Sequence, residues 1–260
     1  MIADRFDLSK ARILLSNDDG IAAPGLKILA LALRQITSDV WVVAPEHEQS
    51  GAGHSLTLRR PLRIRRLQAR RFAVDGTPTD SVLLGIRQIM RDKQPDLLVS
   101  GINLGANIGE DVTYSGTVAA AMEGTLLNVP SIAISLAVMN GEEPLWDGAG
   151  RMATEIVKRL VAAPWPANTL MNVNIPNIPF DAMTGIRACP QGQRRIGDNL
   201  VEMTDPRGQA VYWIGPTRNE NAPPPGSDIA IVAAGGVAVT PIHLDLTHRS
   251  GLDALRSVFP

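Results

Sequence analysis

The sequence predicts an α/β fold with a mostly parallel, doubly wound sheet, and two observations carry that expectation. Short apolar runs without alternation, such as "RILLS", "DLLVS" and "SIAISL", fit strands buried on both faces. Segments of about ten residues with helical spacing separate them, as in crossover units. Such a chain packs helices on both sides of one sheet.

Arg12 to Ser16 reads as the first buried strand, closed by a turn signal. Leu26 to Ile36 has helical spacing, and Pro24 stands near its start, where a missing N–H costs little. Asp39 to Ala44 is a second β-branched run. Ser55 to Val74 breaks the rhythm. Arg59, Arg60, Arg63, Arg65 and Arg66 surround Leu58, Leu62, Ile64 and Leu67, which reads as an antiparallel excursion with one solvated face. Thr79 to Met90 is helical, Asp96 to Ser100 a strand, Thr117 to Leu127 a helix and Ser131 to Leu136 a strand. Arg151 to Val161 and Thr169 to Pro176 complete the series as helix and strand.

Residues 1–180 therefore read as one α/β core, after a charged N-terminal extension, Met1 to Lys10. Residues 181–260 read as a β-rich C-terminal part of the same functional unit. It has short strands at Ala210 to Ile214 and Gly236 to Ile242, and a stiff spacer from Asn221 to Gly226. This part looks like an arm that packs on another subunit.

Composition narrows the function. The 260 residues are 45% hydrophobic and 20% charged, with a net charge of −1, so bulk charge points to neither nucleic acid nor membrane. Aromatic residues are 4%, too few for a base-stacking single-strand binder. No run approaches the roughly 18 apolar residues of a membrane span. Cys189 is the only cysteine, which excludes an intramolecular disulfide and fits a reducing compartment. The start, "MIADRFDLSKAR", has no apolar signal core, so a cytoplasmic location is expected.

In an open parallel sheet, ligands bind beyond the carboxyl ends of the strands. Three polar stretches should meet there: Asn17-Asp18-Asp19-Gly20, Glu46 to His54, and Gly101 to Ser115. Adjacent carboxylates repel, and a divalent cation would neutralise them. Asp18, Asp19, Ser50 and Asn103 could form an all-oxygen site that suits Mg²⁺ or Mn²⁺ rather than zinc. Asp-Asp-Gly could equally be only a turn and a helix cap. Gly101, Gly105, Gly109 and Gly116 allow close backbone approach to a ligand. Ser115-Gly116-Thr117 opens a helix whose free N–H groups attract phosphate, although the tripeptide alone is also an ordinary cap. The two features together indicate metal-assisted hydrolysis of a phosphoester. Asn107 is an additional donor, and His54, Arg194 and Arg195 are candidate anion contacts that fit structural or solvated roles equally well.

Other chemistries lack their motifs. The chain has no G-x-x-x-x-G-K-[ST], no G-x-G-x-x-G, no G-x-S-x-G and no H-E-x-x-H. Two competing classes stay open from the residues alone: a non-catalytic nucleotide-binding stress protein, and a transferase with an α/β phosphate site.

The stretches "ILLSNDDGIAAPGL", "VVAPEHEQSGAGHSLTL", "GTPTDSV", "PDLLVSGINLGANIGEDVTYSGTVAAAMEGTLLNVPSIAIS" and "VTPIHLDLT" resemble the SurE family of stationary-phase survival proteins. The resemblance runs from about Arg12 to Thr247. It implies a Rossmann-like three-layer core with a β-rich C-terminal extension that mediates homodimers or homotetramers. It also implies a divalent-metal-dependent 5′-nucleotidase, with 3′-nucleotidase and some polyphosphatase activity. The family's metal ligands fall on Asp18, Asp19, Ser50 and Asn103, for one cation per subunit. Asp18, Asp19 and Asn103 are the expected catalytic residues, and Asn107, Ser115, Gly116 and Thr117 the expected phosphate contacts. The expected partners are nucleoside monophosphates, with neither a membrane nor a nucleic-acid polymer.

Overall fold

The computed structural model describes residues 7–139, 141–194, 200–214 and 223–259. Its frame is a nine-stranded sheet. The first six strands in sequence are β1 (Ile13–Ser16), β2 (Val40–Pro45), β3 (Ile64–Gln68), β4 (Arg71–Val74), β5 (Leu97–Leu104) and β6 (Ser131–Ala137). They are followed by β7 (Thr169–Pro176), β8 (Ile186–Ala188) and β11 (Val237–His243). Across the sheet the order is β3-β4-β2-β1-β5-β6-β7-β11-β8. From β4 to β7 all neighbours are parallel. β3 pairs antiparallel with β4, and β11 antiparallel with β7. The remaining strands, β9 (Leu200–Thr204) and β10 (Ala210–Ile214), form a separate antiparallel hairpin.

Both faces of the sheet are covered. α1 (Pro24–Arg34) and α4 (Trp146–Ala162) pack together on one face; α2 (Pro78–Leu84) and α3 (Gly116–Leu126) pack together on the other. Strand alternation divides the core accordingly. Ile13 and Leu15 join Leu29, Leu33 and Ile156 on one side, while Leu14 joins Val82, Ile86 and Val118 on the other. Burying each such side chain stabilises the fold by roughly 1.5–3 kcal/mol before entropy is counted.

Helix starts follow from local chemistry. Pro24 occupies the first turn of α1 without a side-chain cap. Thr77 and Asp80 form a reciprocal capping box at α2. Ser115 caps α3 by accepting from Val118 N at 3.1 Å.

Several elements differ from the sequence expectation. The helix expected over Thr79 to Met90 ends at Leu84 and continues as a wider π-helical turn over Gly85–Ile89. The strand expected to stop at Ser100 runs to Leu104, through a register shift against β6 between Ser100 and Asn103. The Arg-rich excursion is the hairpin β3–β4, and β4 joins the main sheet parallel to β2. Arg60 and Arg63 face Asp75 and Arg65 faces Glu46, which gives most of the cluster local partners. The C-terminal part holds two helices the sequence did not announce, α5 (Asp228–Ala233) and α6 (Arg249–Arg256). Most of the N-terminal extension, Arg195, and the first residues of the Asn221 to Gly226 spacer lie outside the described residues.

β1 lies between β2 and β5, so the chain leaves it in opposite directions across the sheet. That is a topological switch point, where the loops diverge and leave a crevice. The loops after β1 and β5 both open there.

Candidate active site

Asn17 turns the chain after β1, its Nδ2 donating to the Gly20 carbonyl at 3.0 Å. Asp18 then points under the start of α3 and is 4% exposed. The Thr117 hydroxyl donates to Asp18 Oδ1. The contact is so close that a Cβ on Gly116 would lie 2.6 Å from Asp18 Cβ and 2.9 Å from its Oδ2. Glycine is therefore required there by space, not by dihedral freedom.

Asp19 is half-buried, and its Oδ2 accepts from Leu104 N at 3.4 Å, which ties the first loop to the end of β5. The register shift in β5 falls between Ser100 and Asn103, immediately before the Leu104 amide that meets Asp19. Asn103 Nδ2 donates to the Gly105 carbonyl at 2.8 Å, which leaves its Oδ1 as the outward acceptor. Ser50 is exposed, and its hydroxyl donates to Glu48 Oε1 at 2.9 Å. The Ser50 loop is anchored to the aspartates by Gln49 N, which donates to the Asp18 carbonyl at 2.8 Å. The four expected oxygen donors thus stand on three loops that are hydrogen-bonded to one another.

The electrostatics of the pair are unbalanced. Burial pushes the Asp18 carboxyl above its ordinary range, although the Thr117 hydroxyl and the Thr117 and Gly116 amides pull the other way. Asp19 is pushed up to about 7, first by burial, then by Asp18 and by Glu48. Among the described residues neither aspartate has a salt-bridge partner. The hydroxyls of Ser16 and Ser100, paired across β1 and β5, and Asn17 Oδ1 are buried there without a hydrogen-bond partner. Two uncompensated carboxylates, an outward amide oxygen and a hydroxyl fit a hard divalent cation. Among the described residues no three His, Cys, Asp or Glu side chains converge on a metal-binding geometry, so a zinc-like centre has no ligand set.

The phosphate candidates lie on the next loop. Gly116 and Thr117 open α3 directly against Asp18, and Ser115 is buried as the helix cap. Asn107 is buried and donates through Nδ2 to Ser135 Oγ at 2.8 Å. Its backbone is gripped from β7: Asn107 N donates to Asn174 Oδ1 at 2.8 Å, and Asn172 and Asn174 donate to its carbonyl at 2.8 and 3.0 Å. Sequence reasoning missed Asn172 and Asn174. Their signal is two amides on the same face of an otherwise apolar buried strand, "MNVNI", which needs polar partners inside the protein.

His54 faces Glu123, in the last turn of α3, at 3.1 Å, which moors the end of the Ser50 loop to that helix. Arg194 lies 3.6 Å from Asp111 Oδ2. Burial raises the Asp111 carboxyl, and Arg194 acts against it. Tyr114 is exposed at the rim, beside Ser115.

Known proteins share this arrangement of chain. The chain is 54% identical over 253 residues to the 5′-nucleotidase SurE of Paramagnetospirillum magneticum, covering 97% of each sequence. It is 47% identical over 262 residues to the 5′-nucleotidase SurE of Rhodospirillum rubrum, covering both sequences in full. The crystal structure of the SurE protein from Aquifex aeolicus superposes with a TM-score of 0.84 at 41% identity, over 95% of this chain and 99% of that one. The sequence model described as Survival protein SurE matches residues 13–198. With the aspartate pair at its switch point and relatives matched along the whole chain, the protein belongs to the SurE family.

Proposed function

We propose that the protein is a divalent-metal-dependent phosphomonoesterase. It hydrolyses nucleoside 5′-monophosphates, and 3′-monophosphates as further substrates, to nucleoside and phosphate. The observation that carries this reading is the pair of buried Asp18 and half-buried Asp19, with raised carboxyl pKa values and, among the described residues, no salt-bridge partner. Relatives along the full chain bear the name 5′-nucleotidase.

Asp18, Asp19, Ser50 and Asn103 would hold one Mg²⁺ or Mn²⁺ per subunit, which supplies positive charge to phosphate oxygens and acidity to water. Asp19 Oδ1, the oxygen not facing Leu104 N, orients the attacking water. The Ser115 hydroxyl and the Gly116 and Thr117 groups that here face Asp18, with Asn107 behind them, would carry the phosphate oxygens as charge redistributes. Water oxygen bonds to phosphorus as the ester P–O bond breaks; one of the water's protons stays with the phosphate and the other passes to the departing oxygen, so the nucleoside leaves as its alcohol.

Among the described residues no helix is long and apolar enough to cross a membrane. The assembly we propose is a homodimer or homotetramer, supported by the apolar exposure of the β9–β10 hairpin.

The test is phosphate release from nucleoside 5′- and 3′-monophosphates with Mg²⁺ or Mn²⁺, and with EDTA. Metal-dependent release is expected. A folded protein that releases nothing with any metal would overturn the reading.

A further inference from the structure

We infer that Asp228 is a positioning residue for the phosphate-binding loop, acting from the C-terminal part of the chain. This rests on the phosphate assignment above.

Asp228 is fully buried at the start of α5. Among the described residues its carboxylate hydrogen bonds involve neither the aspartate pair nor the proposed metal donors. Its Oδ2 accepts from Gly109 N at 3.0 Å, across 119 residues of sequence. Its Oδ1 accepts from Gly192 N and Ile229 N, each at 2.7 Å. A carboxylate buried this deeply is destabilising unless its oxygens are fully engaged. Here backbone N–H groups from three segments engage them.

The segment held is the one that matters for phosphate. Gly109 opens the short 3-10 turn Gly109–Thr113, which leads straight into Ser115, Gly116 and Thr117. Its φ of +54° suits glycine, and a Cβ there would lie 3.0 Å from Arg194 Cβ. Asp228 holds the Gly109 N–H, and Gln191 Nε2 holds the Gly109 carbonyl at 2.7 Å. Two residues earlier, Asn172 and Asn174 hold both backbone groups of Asn107. The loop is therefore clamped at two points. One clamp stands on the central sheet; the other reaches in from residues 189–194 and α5. Gly192 packs closely on the second clamp, since a Cβ there would lie 2.9 Å from Asp228 Oδ1.

Asp228→Asn nearly preserves shape but turns one acceptor oxygen into a donor that faces backbone N–H groups. The experiment compares wild type and D228N by hydrogen exchange over residues 105–115, by competitive inhibition with inorganic phosphate, and by Mn²⁺ binding to the metal-free protein. The expected result is faster exchange confined to that loop, phosphate inhibition weakened about ten- to a hundredfold, and unchanged Mn²⁺ affinity. Q191A, which frees only the Gly109 carbonyl, should move the same readouts in the same direction by less.

Phosphate inhibition equal to wild type in a folded D228N, or loop exchange unaltered in both variants, would overturn the inference. So would a general loss of stability with phosphate affinity intact in the folded fraction, which is the mark of a merely structural residue. If wild type itself were insensitive to phosphate, the functional reading would fail, and that result is separable because it needs no variant.

Discussion

At the carboxyl ends of β1 and β5 the molecule buries charge; on the β9–β10 hairpin it exposes apolar side chains. Asp18 is 4% exposed, whereas Trp213 and Ile214 are 66% and 72% exposed. Each region reverses the usual partition of residues between interior and surface. In the function proposed above, each is completed from outside the chain: by a cation for the carboxylates, by a second apolar surface for the hairpin. The two deficits differ in kind. The first is electrostatic and sensitive to pH and chelators; the second is hydrophobic and sensitive to protein concentration.

The largest expected effect is at the charged end. Asp18→Asn should lower metal-dependent phosphate release by roughly a thousandfold while leaving the chain folded. Steady-state assays across metal concentrations, with circular dichroism as the folding control, would show this. Unchanged metal-dependent turnover would remove Asp18 from the site. Gly116→Ala forces a Cβ against Asp18, so it should displace the carboxylate and reduce turnover about tenfold or more, with a stability loss of about 1–3 kcal/mol. Activity close to wild type would mean that the Asp18–α3 contact is not part of the working geometry.

At the apolar end, Trp213→Ser with Ile214→Asp should shift sedimentation to a smaller species and leave the fold of each subunit intact. A wild-type chain that sediments as a monomer at all concentrations would break the comparison there.

The smallest effect is on stability. The folded-state carboxyl of Asp19 is raised from 3.8 to about 7 by burial and by its acidic neighbours. Between those values the folded chain holds a proton that the unfolded chain has lost. Folding is then favoured at low pH, and stability falls as pH rises toward 7. In EDTA, this pair should make the melting temperature decline between about pH 4 and pH 7, and Mg²⁺ or Mn²⁺ should offset the decline at neutral pH. Asp19→Asn should raise the metal-free melting temperature at pH 8 by roughly 2–4 °C, the size of a 1 kcal/mol change in a chain this long. A flat profile would mean that solvent screens the pair.

The frame of the molecule was legible because its signals are local. "ILLS", "VWVVAP", "SIAISL" and "TLMNVNIP" declare strands buried on both faces, and strands of that kind need helices over each face. The meeting of the Asp18, Ser50 and Asn103 loops follows from strand order, since all three leave carboxyl ends beside the switch point. Other features leave little local trace. β8 is three residues long and largely exposed, α5 is six residues long, and neither is stable apart from its tertiary contacts. The direction of β4 is set by pairing with β2 rather than by its own residues. The two clamps on the glycine loop join positions 65 to 119 residues apart, and no periodicity reports a contact of that range. What the sequence did offer was buried polarity without an evident use, in Asn172 and Asn174, and such residues are the ones to follow when a loop must be held.

The position of β11 has a bearing on synthesis. β7 spans Thr169–Pro176, but the strand that closes its free edge is β11, Val237–His243. As the chain leaves the ribosome, about sixty residues must follow β7 before that partner arrives, several seconds at ordinary elongation rates. During that interval β7, buried on both faces in the finished molecule, offers an open row of backbone donors and acceptors to any neighbouring nascent chain. A stop or pause between these strands is therefore the point at which this protein is most exposed to misassembly, and the stage at which a holding chaperone would matter most.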